Sequence, residues 1–363
     1  MGLTPQSPVL VVGCGRTGEA VARQLAANSA TAGSGGPLFL CDLDGERSSS
    51  LANSLPAFVS SWPLRHKGDI SSAGRSLLDT DLPGTGFRLD RLRGPGVVVL
   101  CHEGGLHRAS TLEALSCGWS VVSSGDRLLD VAGLLTLNEE AVRAGVRVLA
   151  GAGLGPGLSC LLARHGSTLL DDVHELHVAK TGTGGPACAR THHDALRRDA
   201  LDWLDGEWIT RPGGSGRQLA YFPDPIGLRD CYRGALADAL LLRRAFPGAK
   251  RITARMAATR RDRVTARLPM MRRPHSDGGP GAVRVELWGP REGTMDVVVL
   301  GVVGSPAELS GQVAAAATLA LLADDGILPT AGVWSLAQVT DGTPLLRVLA
   351  GWGVALGIFA GAD

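Results

Sequence analysis

Histidine is the side chain best suited to proton transfer near neutral pH. This chain sets two side by side, His192 and His193, soon after the glycine-rich run Thr181-Gly182-Thr183-Gly184-Gly185-Pro186. Adjacent residues on a strand face opposite ways, so at most one of the pair points into a cleft; a surface pair, or a helix N-terminal residue followed by a core contact, is the plainer role. Lys180 closes the strand-like run Leu176-His177-Val178-Ala179-Lys180. With a depressed pKa it acts as a base; otherwise it is a solvated strand end. Asp126, after Gly125, either orients an amine or caps a helix. A planar guanidinium grips a carboxylate through two parallel hydrogen bonds. Arg260, in the arginine-dense stretch 251–273, and Arg217, after Gly214-Ser215-Gly216, are the candidates for that grip. Salt bridges or a solvated face account equally well for most of these arginines. His174 and His177 lie three apart with no further convergent ligand in view, so no metal is expected.

Such groups need a reaction to serve, and Pro8-Val9-Leu10-Val11-Val12-Gly13-Cys14-Gly15-Arg16-Thr17-Gly18 indicates one. An apolar strand runs into Gly-x-Gly-x-x-Gly and then into a helical pattern. Gly13 permits a tight turn, Gly15 lets a pyrophosphate approach the backbone, and Gly18 lets the helix pack close to the strand. Arg16 and Thr17 stand where the N–H groups of the helix start meet phosphate. A second strand, Leu38-Phe39-Leu40-Cys41, ends in Asp42, placed to accept hydrogen bonds from ribose hydroxyls. Its charge disfavours a 2′-phosphate, so NAD(H) is favoured; Arg47 points the other way and keeps NADP(H) as the alternative. Asp69 falls where comparable folds approach the adenine. Cys101, His102 and Glu103 end the strand Gly96–Cys101 and open the next loop, at the carboxyl edge where ligands of open α/β sheets bind.

The elements that must position these residues alternate. Strands at Val9–Val12, Leu38–Cys41, Gly96–Cys101, Ser120–Ser124 and Val146–Ala150 are separated by helical stretches, among them 109–117 and 134–144. This predicts an α/β fold whose first domain, 1–150, is a Rossmann doubly wound parallel sheet. After the hinge Gly151-Ala152-Gly153-Leu154-Gly155-Pro156-Gly157-Leu158, strand-like runs dominate. Residues 251–268 read as extended, and Val283–Leu287 pairs with Met295–Val303 across a glycine turn. We therefore expect a second α+β domain, 151–325, on a mixed or antiparallel sheet, and a segment 326–363 that returns to the first domain.

Composition excludes other classes. A formal charge of +1 over 363 residues gives no electrostatic footprint for nucleic acid. No apolar run is long enough to suggest a membrane span, and the N-terminus lacks the pattern of a secretory signal; a cytoplasmic location is expected. The seven cysteines are widely spaced and form no Cys-x-x-Cys pair, which argues against a disulfide framework or a zinc site.

Several ordered features resemble the saccharopine-dehydrogenase-like reductases, including saccharopine reductase, carboxynorspermidine dehydrogenase and lysine 6-dehydrogenase. They are Gly13–Gly18, the Pro-Gly helix entry in Gly153–Leu158, Ala245-Phe246-Pro247-Gly248-Ala249, and Gly326–Val333 near the end. The resemblance implies a nucleotide domain, a sheet-containing substrate domain, homodimerisation through that domain, and hydride transfer at a carbon bonded to nitrogen. The substrate would be amino-acid-like: an amino acid or an imine or opine-like conjugate of one. The stretch 182–232 departs from the family, so catalytic residues do not carry over. A dehydrogenase of a hydroxyl or aldehyde group, and a non-catalytic NAD(P)-binding sensor or scaffold, are the alternative readings.

Overall fold

The computed structural model describes residues 2–32, 35–62, 94–270, 274, 276 and 278–359. The chain forms two compact units. The first comprises Met1–Gly125, Leu129–Gly153 and Ser310–Trp334; the second comprises Asp126–Leu128, Leu154–Leu309 and Ser335–Asp363. Asp69 lies outside the described residues.

The first unit is built on a seven-stranded sheet in the order Gly332–Trp334, Arg147–Ala150, Ser120–Ser123, Val97–Leu100, Val9–Val12, Leu38–Cys41, Val59–Ser61. Every pairing is parallel. Val9–Val12 and Val97–Leu100 are buried at each position, as unbroken apolar strands covered on both faces must be. The order reverses between these two strands, so their carboxyl ends flank the crevice where such sheets bind ligands. The helical stretch expected over 134–144 is in fact two helices, Leu128–Leu135 and Asn138–Ala144.

The second unit carries a nine-stranded mixed sheet. Its main path runs Gln218–Phe222, Gly227–Arg233, Arg251–Ala257, Glu175–Thr181, Gly281–Arg291, Thr294–Gly304, Leu356–Phe359. The hairpin Ala200–Leu204/Glu207–Arg211 pairs onto Arg251–Ala257. Only Arg251–Ala257 and Glu175–Thr181 run parallel; the other pairings are antiparallel. Helix Leu158–Gly166 packs on the Leu287 side of the sheet, where a Cβ at Gly166 would sit 2.7 Å from Leu287 Cδ1.

The end of the stretch expected to be extended, 251–268, is helical, and a helix also carries His192 and His193. Pro186 occupies the first turn of helix Pro186–Arg197, where its missing N–H costs nothing. Thr259 and Asp262 cap helix Arg260–Thr265 reciprocally. The terminal segment is divided rather than returned whole: Gly332–Trp334 completes the parallel sheet, whereas Leu356–Phe359 joins the mixed one. Among the described residues no helix is long and apolar enough to cross a membrane.

Helix Pro306–Ala323 meets the first-unit helix Arg16–Ala32 at Gly311, where a Cβ would lie 2.4 Å from Ala20 Cβ and 2.9 Å from the Thr17 carbonyl oxygen. Gly311→Val should therefore lower unfolding stability by about 1–3 kcal/mol. Gly248→Ala, which meets nothing within 4 Å, should stay within about 0.5 kcal/mol of wild type. Urea midpoints of the two variants check this.

Candidate functional site

The glycine turn has the geometry its spacing demands. Gly13 has φ +94°, and a Cβ there would strike the backbone of Cys101 and His102 at 2.8 and 2.6 Å. A Cβ on Gly18 would lie 1.8 Å from the Gly13 carbonyl oxygen, whereas one on Gly15 meets nothing within 4 Å. The turn is thus closed on the protein side and open where a pyrophosphate would approach, ahead of the helix that starts at Arg16. Asp42 is buried, and its carboxylate accepts the Cys14 N–H at 2.6 Å and the Asp44 N–H at 2.9 Å. It therefore braces the turn as well as standing at the strand end. Arg47 lies 3.7 Å from the same carboxylate. These residues fit a dinucleotide.

Around them, Cys101 is a protonated thiol, pushed up to about 12 by burial. His102 is held well below the usual histidine range, by burial first and then by His107, whose ring centroid is 4.3 Å away. Its Nδ1 lies 2.8 Å from the Glu103 carbonyl oxygen, and the Glu103 side chain is exposed. A neutral imidazole here suits contact with a cofactor better than proton donation.

The second unit holds a cluster of ionisable groups. His192 Nε2 is 3.5 Å from Asp126 Oδ2 and 3.6 Å from Cys188 Sγ. The thiol is 4.0 Å from the same Asp126 oxygen. Cys188 and His192 lie one turn apart on helix Pro186–Arg197 and so share a face. All three donor atoms fall within 4.8 Å of one another, a convergence that sequence spacing did not reveal and a spread that a divalent cation could also span. Burial works against every charge here, yet the opposite charges prevail. The Asp126 carboxyl is lowered by its hydrogen bond to His192 and by the charge of Lys180. The Cys188 thiol is lowered by the charge of His192 and its hydrogen bond. Burial and Lys180 pull His192 down, but Cys188 and Asp126 outweigh them and push it up to about 9. At neutral pH the imidazole is a cation facing the Asp126 carboxylate and a thiol whose ionisation it promotes.

Lys180 is 3% exposed, and its ammonium donates to the Gly155 carbonyl at 2.6 Å. The fully buried Asp238 lies beside it and accepts a 2.5 Å hydrogen bond from Ser159. Its other oxygen has no partner, and burial raises its carboxyl. Lys180 is a buried structural cation rather than a solvated strand end.

Of the residues singled out from sequence, the fold brings Asp126, Lys180 and His192 together. His193 points elsewhere, its Nε2 lying 2.9 Å from the Leu268 carbonyl oxygen. Arg260 is exposed on helix Arg260–Thr265. Arg217 pairs with Asp230 at 2.9 Å and lines an open groove of about 500 Å³ with Arg251, Arg255, Glu175 and Glu286. Alternation along Glu175–Thr181 puts Glu175 on the sheet face opposite Lys180, so this groove lies away from the cluster. Sequence reasoning missed Cys188, Asp238 and Ser159. The i, i+4 spacing of Cys188 and His192 was the available signal, but it has meaning only on a helix.

No protein-family model matches the chain, and no curated protein sequence matches it. Solved structures do. The apo, histidine-tagged saccharopine dehydrogenase (L-Glu forming) of Saccharomyces cerevisiae superposes with a TM-score of 0.68 at 17% identity, covering 98% of this chain and 100% of its own. The C. glutamicum DAP dehydrogenase in complex with DAP gives a TM-score of 0.48 at 14% identity, over 94% and 96%. The first likeness establishes a common fold.

The cluster makes a direct prediction. In an NMR titration His192 should change protonation near pH 9, against an ordinary value of 6.5. Cys188→Ala removes the largest upward influence, so the midpoint should move down toward the ordinary value. An unmoved midpoint would show that the thiolate does not hold the proton there.

Proposed function

We propose that this protein is a nicotinamide-dinucleotide-dependent oxidoreductase acting on a C–N bond of an amino acid or of an imine or opine-like conjugate. The observation that carries the reading is His192, an imidazolium held by Asp126 and Cys188, in a chain that also carries the three-glycine turn. The shared fold with a saccharopine dehydrogenase supports the class.

Gly13, Gly15 and Gly18 leave room for the pyrophosphate, Arg16 and Thr17 present the helix start to it, and Asp42 receives the ribose. The bound nicotinamide supplies hydride donation or acceptance at its C4. The chain's own residues manage charge and protons. The Asp126 carboxylate attracts an iminium or ammonium group. The His192 imidazolium gives a proton to the nitrogen that becomes an amine; in reverse, neutral His192 accepts it. Because His192 keeps its proton up to about pH 9, imine reduction is the direction the site favours at neutral pH. Arg217 lines the groove on the other sheet face and pairs with Asp230, so it does not serve the cluster.

NAD(H) is the favoured cofactor because of the Asp42 charge. Asp42→Ser should weaken NADH binding by about tenfold, near 1.4 kcal/mol, and narrow any preference over NADPH; fluorescence titration with both cofactors decides this.

Deuteride from C4-labelled NADH or NADPH should appear on the carbon of an amine product when the protein is given a panel of amino acids with carbonyl compounds. Imine reduction should fall, and amine oxidation rise, as pH passes through about 9. His192→Gln should cost roughly 10²–10⁴-fold in turnover and flatten both profiles. Absence of label transfer to every amine, with transfer to alcohols instead, would overturn the C–N assignment.

A further inference from the structure

We infer that Cys188 is a nucleophile that captures the carbonyl carbon of an aldehyde as a covalent thiohemiacetal, an activity that goes beyond the C–N reading and does not rest on it. The geometry is that of an activated thiol. Sγ lies 3.6 Å from His192 Nε2, one helical turn away, and Asp126 Oδ2 lies 3.5 Å from the same nitrogen. The carboxylate and the sulfur thus approach the same ring nitrogen, and its one N–H and positive charge lie within reach of both. Cys188 is half-buried rather than sealed in the core.

Five of the six other cysteines supply an internal contrast. Burial pushes Cys14, Cys101, Cys160 and Cys231 up to about 12 and raises Cys41 as well. Cys188 is also surrounded by protein, yet its thiol is lowered by the His192 charge, the hydrogen bond to it and the Gly184 backbone. Thiolate character beside a cation is what separates reactive cysteines from inert buried ones.

The chemistry balances within the chain. The sulfur lone pair forms the C–S bond, the carbonyl π pair moves to oxygen, and the His192 imidazolium proton passes to that oxygen. The product is a neutral thiohemiacetal beside a neutral imidazole. Its carbon bears a hydrogen that an oxidised nicotinamide dinucleotide, if bound beside it, would remove as hydride while neutral His192 took the hydroxyl proton; the resulting thioester would be open to cleavage by water to a carboxylic acid and the thiol. The cluster would thus handle aldehydes covalently and imines by proton transfer alone.

The test uses the full chain without nicotinamide, so its outcome is independent of the amine assay. Iodoacetamide labelling at pH 7, read by peptide mass mapping, should modify Cys188 about tenfold or more faster than any other cysteine, because of its thiolate fraction. Propanal or benzaldehyde should protect it in a concentration-dependent way, whereas propylamine should not. His192→Gln should slow the labelling, with a thermal melt confirming that the variant is folded. Labelling no faster than at the other cysteines overturns the proposal, as does failure of both aldehydes to protect. Labelling that appears only after a chelator is added assigns the thiol to a metal and overturns it too. With NAD⁺ added, an acyl mass on the Cys188 peptide would further support it.

Discussion

The second unit depends on one buried charge. The Lys180 ammonium is 3% exposed, and an ammonium removed from water costs several kcal/mol unless partners replace the solvent. Its acceptor comes from a distant part of the chain, the Gly155 carbonyl ahead of helix Leu158–Gly166, and its charge acts on the Asp238 carboxyl at the start of helix Asp238–Ala245. Satisfying one cation therefore fixes a strand, a loop and a helix relative to one another. Residue 155 must stay small, since a Cβ there would stand 3.2 Å from Lys180 Cδ and 3.3 Å from Asp238 Oδ1. Ser159 completes the arrangement by donating to Asp238. The glycines around Pro156 read from sequence as a hinge; in the fold they let a carbonyl reach a lysine.

The same charge conditions the cluster around His192. Lys180 alone would drive protons off His192, and it draws them off Asp126. A second cation is stable nearby because the Asp126 carboxylate and the Cys188 sulfur face it. The order of signs, from Lys180 through Asp126 to His192 and Cys188, explains why the Cys188 thiol is lowered where burial raises those of Cys14, Cys41, Cys101, Cys160 and Cys231. Removing either anion would leave His192 as a like charge near Lys180, so the groups act as one unit and not as separate acids and bases.

What was legible in the sequence follows the range of each interaction. Gly13, Gly15 and Gly18 could be read because their requirements are local: a positive φ, an open approach, and a helix pressed against a turn. The parallel strands could be read because burial on both faces leaves an unbroken apolar run. His192 and Asp126 were visible as residue types but not as partners, since their meeting depends on tertiary packing. Cys188 was hidden because no element was assigned over 186–197, which is a helix. The glycines before Pro186 and the polar run Arg190–Asp194 obscured the helix, and without a helix the one-turn spacing of Cys188 and His192 says nothing. Asp238 was invisible because its role exists only against a lysine on a distant strand.

Arginine density misled for a related reason. Residues 251–257 form a strand, so alternate side chains leave on opposite faces. Arg255 holds Asp202 at 2.9 Å, and Arg233 reaches the same carboxylate at 2.8 Å from the neighbouring strand. Arg251 lies 3.8 Å from Glu175. The face that carries these guanidinium groups neutralises itself with carboxylates from its own strands. The opposite face carries Lys180, whose anions come from helices and loops outside the sheet. A sheet supplies the first kind of pairing by register alone, so it serves stability. The second kind requires segments to converge, and that convergence is where the chain assembles groups whose protonation can change.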